Sequence, residues 1–127
     1  MNNNGVLKIT SLLSLLLLTL HVTDDIVRGI SKAESSNTAL VVLVVFLYGT
    51  LVLAERRWGH VIMFLGGLAA LGMPIIHRNN GFTPAVARSP GGLFFIWTLV
   101  ALGVAGGLTM ILSARGLWRL RRRAPEA

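Results

Sequence analysis

Over residues 39–54 the only polar side chains are those of Tyr48 and Thr50. A helix that is apolar all round has no face to give to water, so it belongs in lipid or deep inside a large protein. The chain has 127 residues, and three more apolar runs lie at about 6–23, 60–76 and 91–112. A chain this short has no room for a soluble shell around four such segments. Charged residues make up 13% of the sequence, against roughly 25% in a soluble domain. Mean hydropathy is +0.70. These features predict an all-α fold, a four-transmembrane-helix bundle forming a single integral membrane domain over 1–127. The helices are expected at about 6–29, 38–55, 60–76 and 90–113, followed by a basic tail at 114–127. With no cysteine, disulfides, thiolate metal sites and cysteine nucleophiles are excluded.

Local chemistry sets the expected boundaries. Lys8 and the leucines after it resemble a signal peptide, but His21, Val22 and Thr23 follow where small residues at a cleavage site are needed, so a retained helix is expected. That helix continues through a polar end to Gly29, a natural stop. Ser35, Ser36, Asn37 and Thr38 offer N-cap chemistry for the second helix, which must reach Glu55 to approach the length of a span. The Glu55-Arg56-Arg57-Trp58-Gly59 stretch forms a tight connection and makes the second and third helices antiparallel neighbours. Pro74 should bend the last turn of the third. Residues 77–89 form the longest loop, with a turn at Asn79-Asn80-Gly81, and Ser89-Pro90 reads as N-cap and first residue of the fourth helix. Small residues Gly66, Gly67 and Ala70, and the GxxxG pair Gly103 and Gly107, predict close packing of the third helix on the fourth.

Four spans place both termini on one side with the 55–59 connection. That side holds Lys8, Arg56, Arg57, Arg115, Arg119, Arg121, Arg122 and Arg123; the other holds Arg28, Lys32, Arg78 and Arg88. The eight-to-four split puts the first group in the cytoplasm. The net charge of +7 therefore points to a bilayer with anionic headgroups as partner, with Arg115, Arg119, Arg121, Arg122 and Arg123 meeting them. The tail has no base-reading module, so nucleic acid is not an expected partner. A homo-oligomer or a membrane-protein partner fits the GxxxG spacing. His60 is expected as an interface residue at the cytoplasmic edge.

Polar chemistry gathers at the end of the first helix. His21, Asp24, Asp25 and Arg28 fall at i, i+3, i+4 and i+7, on one face. Asp24 and Arg28 are spaced for an ion pair. With the first and third helices parallel, His77 ends at the same depth as His21 and Asp25. Two imidazoles and a carboxylate suit zinc, manganese or iron, so a divalent metal is the one cofactor the residues allow. Two uses stay open: an ion-pair network that docks the first helix, or a site for a proton, a metal or a small polar ligand.

Leu20-His21-Val22-Thr23-Asp24-Asp25-Ile26-Val27-Arg28-Gly29, with Glu55-Arg56-Arg57 before the third helix, resembles a pattern in small uncharacterised bacterial four-helix membrane proteins. The resemblance implies the architecture and no activity. Small multidrug transporters share the size, but they carry an acidic residue within the first span, and no run here holds an acid at its centre. The expected function is a non-enzymatic accessory or scaffold component of a membrane. The alternative is a transporter or sensor using the outer His/Asp cluster. An enzyme ranks below both, because no nucleophile–base pair or paired catalytic carboxylates can be placed.

Overall fold

The computed structural model describes residues 2–30 and 37–123. These form five helices: α1 (Asn3–Val27), α2 (Thr38–Leu51), α3 (Arg57–Ile76), α4 (Pro84–Arg88) and α5 (Gly92–Arg123). No strand occurs among the described residues. By length and composition α1, α3 and α5 can each cross a membrane. Helix α2 has 14 residues, about 21 Å at 1.5 Å per residue, where a hydrocarbon core is about 30 Å thick. The expected continuation of α2 to Glu55 gives way to a turn from Val52 onward. Gly59 makes that turn possible, since a Cβ there would collide with the Leu53 carbonyl.

Helix α1 shows how the bundle is organised. It starts at Asn2, whose side chain accepts from the Gly5 amide at 2.8 Å. It ends where Gly29 takes φ +67°. The Gly29 amide donates to Ile26 and the Ile30 amide to Asp25, both at 3.0 Å, which closes the last carbonyls as a left-handed glycine cap does. Between these ends Leu7, Ser11, Ser14, Leu18, His21 and Asp25 are buried, an alternating four–three spacing that gives one seam on a helix. Ile9, Leu12, Leu13, Leu16 and Leu20 face outward. Ser11, Ser14, His21 and Asp25 turn inside with four leucines while these five large apolar side chains face outward, the arrangement lipid favours. Thr19 and Thr23, off the seam, donate to their own i−4 carbonyls.

Inside, hydroxyls join the helices. Ser11 meets Thr50 of α2 at 2.6 Å, and Ser14 meets Thr109 of α5 at 3.0 Å. The closest packing is between α3 and α5. A Cβ on Gly106 would come within 2.7 Å of the Ala70 Cβ, the Gly67 carbonyl and the Leu71 amide; one on Gly67 would come within 2.8 Å of the Gly106 carbonyl and the Met110 amide. Gly103 lies against the ring of Pro74. Two expected members of this seam sit elsewhere. Gly66 faces Phe46 of α2, and Gly107 touches only the tip of Leu71 at an ordinary 3.6 Å. The tight contact uses Gly106, one residue before the second glycine of the GxxxG pair.

Three further expectations change. The 77–89 connection is not irregular throughout: Pro84–Arg88 is a helical turn, capped by Thr83 accepting from the Val86 amide. Ser89 does not cap the last helix. Its hydroxyl donates to the Val86 carbonyl at 2.7 Å, and α5 starts at Gly92. Helix α5 does not stop near residue 113. It runs through Arg123 as 32 residues, about 48 Å long, so residues 114–123 of the expected tail are helical. Ser35 and Ser36 lie outside the described residues, and Asn37 caps α2 without a side-chain bond.

The bundle has two distinct ends. One gathers the start of α1, the start of α3 and the basic end of α5, where Asn3 lies beside Arg119. The other gathers the end of α1, the end of α3 and the start of α5.

Candidate functional site: a buried His/Asp cluster

At that second end each polar side chain is placed by its own helix. His21 and Asp25 are the last two members of the α1 seam, so the packing that buries Leu7 and Leu18 also turns them inward. His77 is the cap residue at the end of α3. It projects toward α1, and its Nε2 lies 2.9 Å from Asp25 Oδ2. His21 Nε2 lies 3.8 Å from the same oxygen. The two imidazoles meet edge-on, with ring centres 5.1 Å apart, and the Phe95 ring closes the space 4.9 Å from His21. His21 is fully buried and Asp25 is 4% exposed. The His21–Asp25–His77 convergence expected from helix depth is present, with ligand atoms all within 4.8 Å of one another.

The hydrogen-bond roles narrow what this cluster can hold. His77 Nδ1 lies 3.1 Å from the Met73 carbonyl. A carbonyl only accepts, so Nδ1 carries the hydrogen. In a neutral ring Nε2 is then a lone pair, and it faces a carboxylate oxygen at 2.9 Å. Two lone pairs do not rest at that distance without a cation between them, either a proton or a metal ion. The Met73 carbonyl is the kind of outer partner that orients a metal-binding imidazole. His21 has no hydrogen-bond partner on either ring nitrogen, and Asp25 Oδ1 has none, among the described residues. A buried polar group left so is costly, and a cation held between the two side chains could satisfy one nitrogen of His21 together with Asp25. Tetrahedral zinc with bonds of about 2.0–2.1 Å spaces neighbouring ligand atoms about 3.3 Å apart. Two of the separations, 2.9 and 3.8 Å, bracket that value, and all three ligand atoms lie within 4.8 Å of one another.

No family model, curated protein or solved structure matches the chain. Its function must be read from the site itself.

Asp24 and Arg28 lie beside the cluster and take no direct part in it. Arg28 Nε is 3.0 Å from Asp24 Oδ1. The same guanidinium donates to Ser89 Oγ at 3.1 Å and to the Pro90 carbonyl at 3.0 Å, and its carbon stands 5.4 Å from the centre of the Phe95 ring. Arg28 thus straps the end of α1 to the chain entering α5. Gly91 permits this, with φ +70° and Arg28 Nη2 at 3.0 Å from where a Cβ would stand. Sequence reasoning placed Arg28 with Asp24 but missed Ser89, Pro90 and Phe95. No spacing pattern links residues so far apart, although an arginine near a span end with one acidic neighbour still has donors to place.

His60, expected at the membrane interface, is far from the cluster and packed inside the bundle. It is 2% exposed, its Nδ1 bonds to the Arg56 carbonyl, and its ring fills the space left by Gly116 of α5. The five tail arginines separate by face. Arg115, Arg119 and Arg123 border one groove and Arg121 another, while Arg122 lies 3.7 Å over the Trp118 ring.

Proposed function

We propose that this chain is a multi-pass membrane protein, with both termini on the cytoplasmic side, that binds one divalent metal ion between His21, Asp25 and His77. The orientation rests on the eight-to-four distribution of basic residues. The metal reading rests on one observation: one ligand atom from each of His21, Asp25 and His77 lies within 4.8 Å of the others in a buried space. Bound metal would tie α1 to α3 at the outer face and give one of the unpartnered nitrogens of His21 a partner. The site serves sensing or structural tethering better than transport. Beneath it Phe95, Leu99 and Leu102 are fully buried, and the described residues hold no second group of His and carboxylate ligands to receive an ion. The protein would therefore report or depend on metal rather than pass it.

A second reading has an observation of its own. The Asp24–Arg28–Ser89–Pro90 strap already docks the end of α1, so the protein would act as an accessory or scaffold with a protonated His77–Asp25 pair in place of metal. Zinc titration of the purified full chain separates the two. The metal reading expects one equivalent bound by wild type, lost in both His21→Ala and His77→Ala. Wild type that takes up no more zinc than the double variant supports the scaffold and removes the metal.

A further inference from the structure

We propose that the opposite end of the bundle holds a binding site for the phosphate headgroup of an anionic phospholipid. A cavity of about 390 Å³ opens there between the start of α1, the start of α3 and the basic end of α5. Arg115, Arg119 and Arg123 border it at i, i+4 and i+8, so α5 presents all three guanidiniums along one side. The single acidic residue on its wall is Glu55, and no carboxylate lies within ion-pair distance of the three arginines among the described residues. Three positive charges against one negative leave an unneutralised site that favours an anion. Planar guanidiniums pair with phosphate oxygens through two parallel hydrogen bonds.

The occupant is a lipid because of where the cavity lies and what else lines it. Leu7, Leu112 and Leu120 supply its apolar part. Leu112 belongs to the apolar stretch of α5 and Arg115 begins the basic stretch, so the cavity straddles the level where chain and headgroup of a lipid join. Asn3 lies beside Arg119 on the cavity wall. Arg121 and Arg122 point elsewhere, into the second groove and onto Trp118. A diffuse basic tail would treat all five arginines alike. This site uses three, and it is independent of the His/Asp cluster at the other end.

The test uses the detergent-purified full chain, titrated with short-chain phosphatidylglycerol, short-chain phosphatidylcholine and glycerol phosphate, with adducts counted by native mass spectrometry. Phosphatidylglycerol is expected to bind at least about fivefold more tightly than either of the others. Each of Arg115→Gln, Arg119→Gln and Arg123→Gln should weaken it about fivefold, the effect of one basic residue near an anionic surface. The double variant Arg121→Gln/Arg122→Gln should stay within about twofold of wild type. Equal binding of the two lipids overturns the proposal and needs no variant to fold. Glycerol phosphate binding as tightly as phosphatidylglycerol assigns the cavity to a soluble phosphate and overturns the lipid. Equal loss in the double variant replaces the site with diffuse charge.

Discussion

Replacing Gly106 by alanine tests the closest packing in the bundle. The new Cβ would stand 2.7 Å from the Ala70 Cβ, the Gly67 carbonyl and the Leu71 amide, where ordinary contact begins at 3.4 Å. Two of the three neighbours are backbone, so no side chain can rotate away. Helices α3 and α5 must part locally by the difference, 3.4 − 2.7, about 0.7 Å. Overpacking of this kind costs about 1–3 kcal/mol. Alanine returns about 1 kcal/mol through its better helix propensity, which leaves a net loss of up to about 2 kcal/mol. Gly107→Ala is the control. Its Cβ would meet only Leu71 at 3.6 Å, so propensity alone should act and stability should hold or rise by up to about 1 kcal/mol. Reversible unfolding in mixed micelles, followed by helical circular dichroism, reads both. Equal stabilities for the two variants, or a larger loss for Gly107→Ala, would refute the register of α3 on α5.

Other expectations concern the strap, the orientation and the metal. Arg28→Gln removes the Asp24 pair and the bonds to Ser89 and Pro90. With its side chain 20% exposed, the loss should be about 1–2 kcal/mol, and proteolysis of the 77–91 connection should quicken; unchanged cleavage would leave Arg28 without a docking role. Single cysteines at Asn3 and Asn79 should divide in intact cells, with an impermeant maleimide reaching only the second; labelling at Asn3 alone would invert the orientation. Zinc affinity should fall as pH drops through the range where imidazoles protonate, because the ligands bind as neutral rings; affinity flat across that range would place the ion elsewhere.

The apolar runs made the helical architecture legible, since uniform hydrophobicity needs no partner information to be recognised. The inward face of α1 was read only at its polar end, from His21 and Asp25, although Ser11 and Ser14 extend it. Ser11, Ser14, His21 and Asp25 mark it because in lipid the polar residues turn inside. The His21–Asp25–His77 convergence followed from counting helix ends. What counting missed was lateral. Phe95 over His21, Ser89 under Arg28 and Gly106 against Gly67 depend on how α5 is rotated; Thr98, Thr109 and Ser113 mark its inward face, a signal the glycine spacing did not use. The length of α5 was misjudged because Arg115, Arg119, Arg121, Arg122 and Arg123 read as a solvated tail. Arginine is a good helix former, and Leu117, Trp118 and Leu120 continue the helix past the end of the span.

X-ray absorption at the zinc edge, on zinc-loaded protein reconstituted in membranes, tests the metal site most directly. The account predicts two imidazoles and a carboxylate oxygen around each ion, with bond distances of about 2.0–2.2 Å, and loss of that signal in His77→Ala. A spectrum showing no imidazole scattering, or one unaltered by His77→Ala, would contradict it.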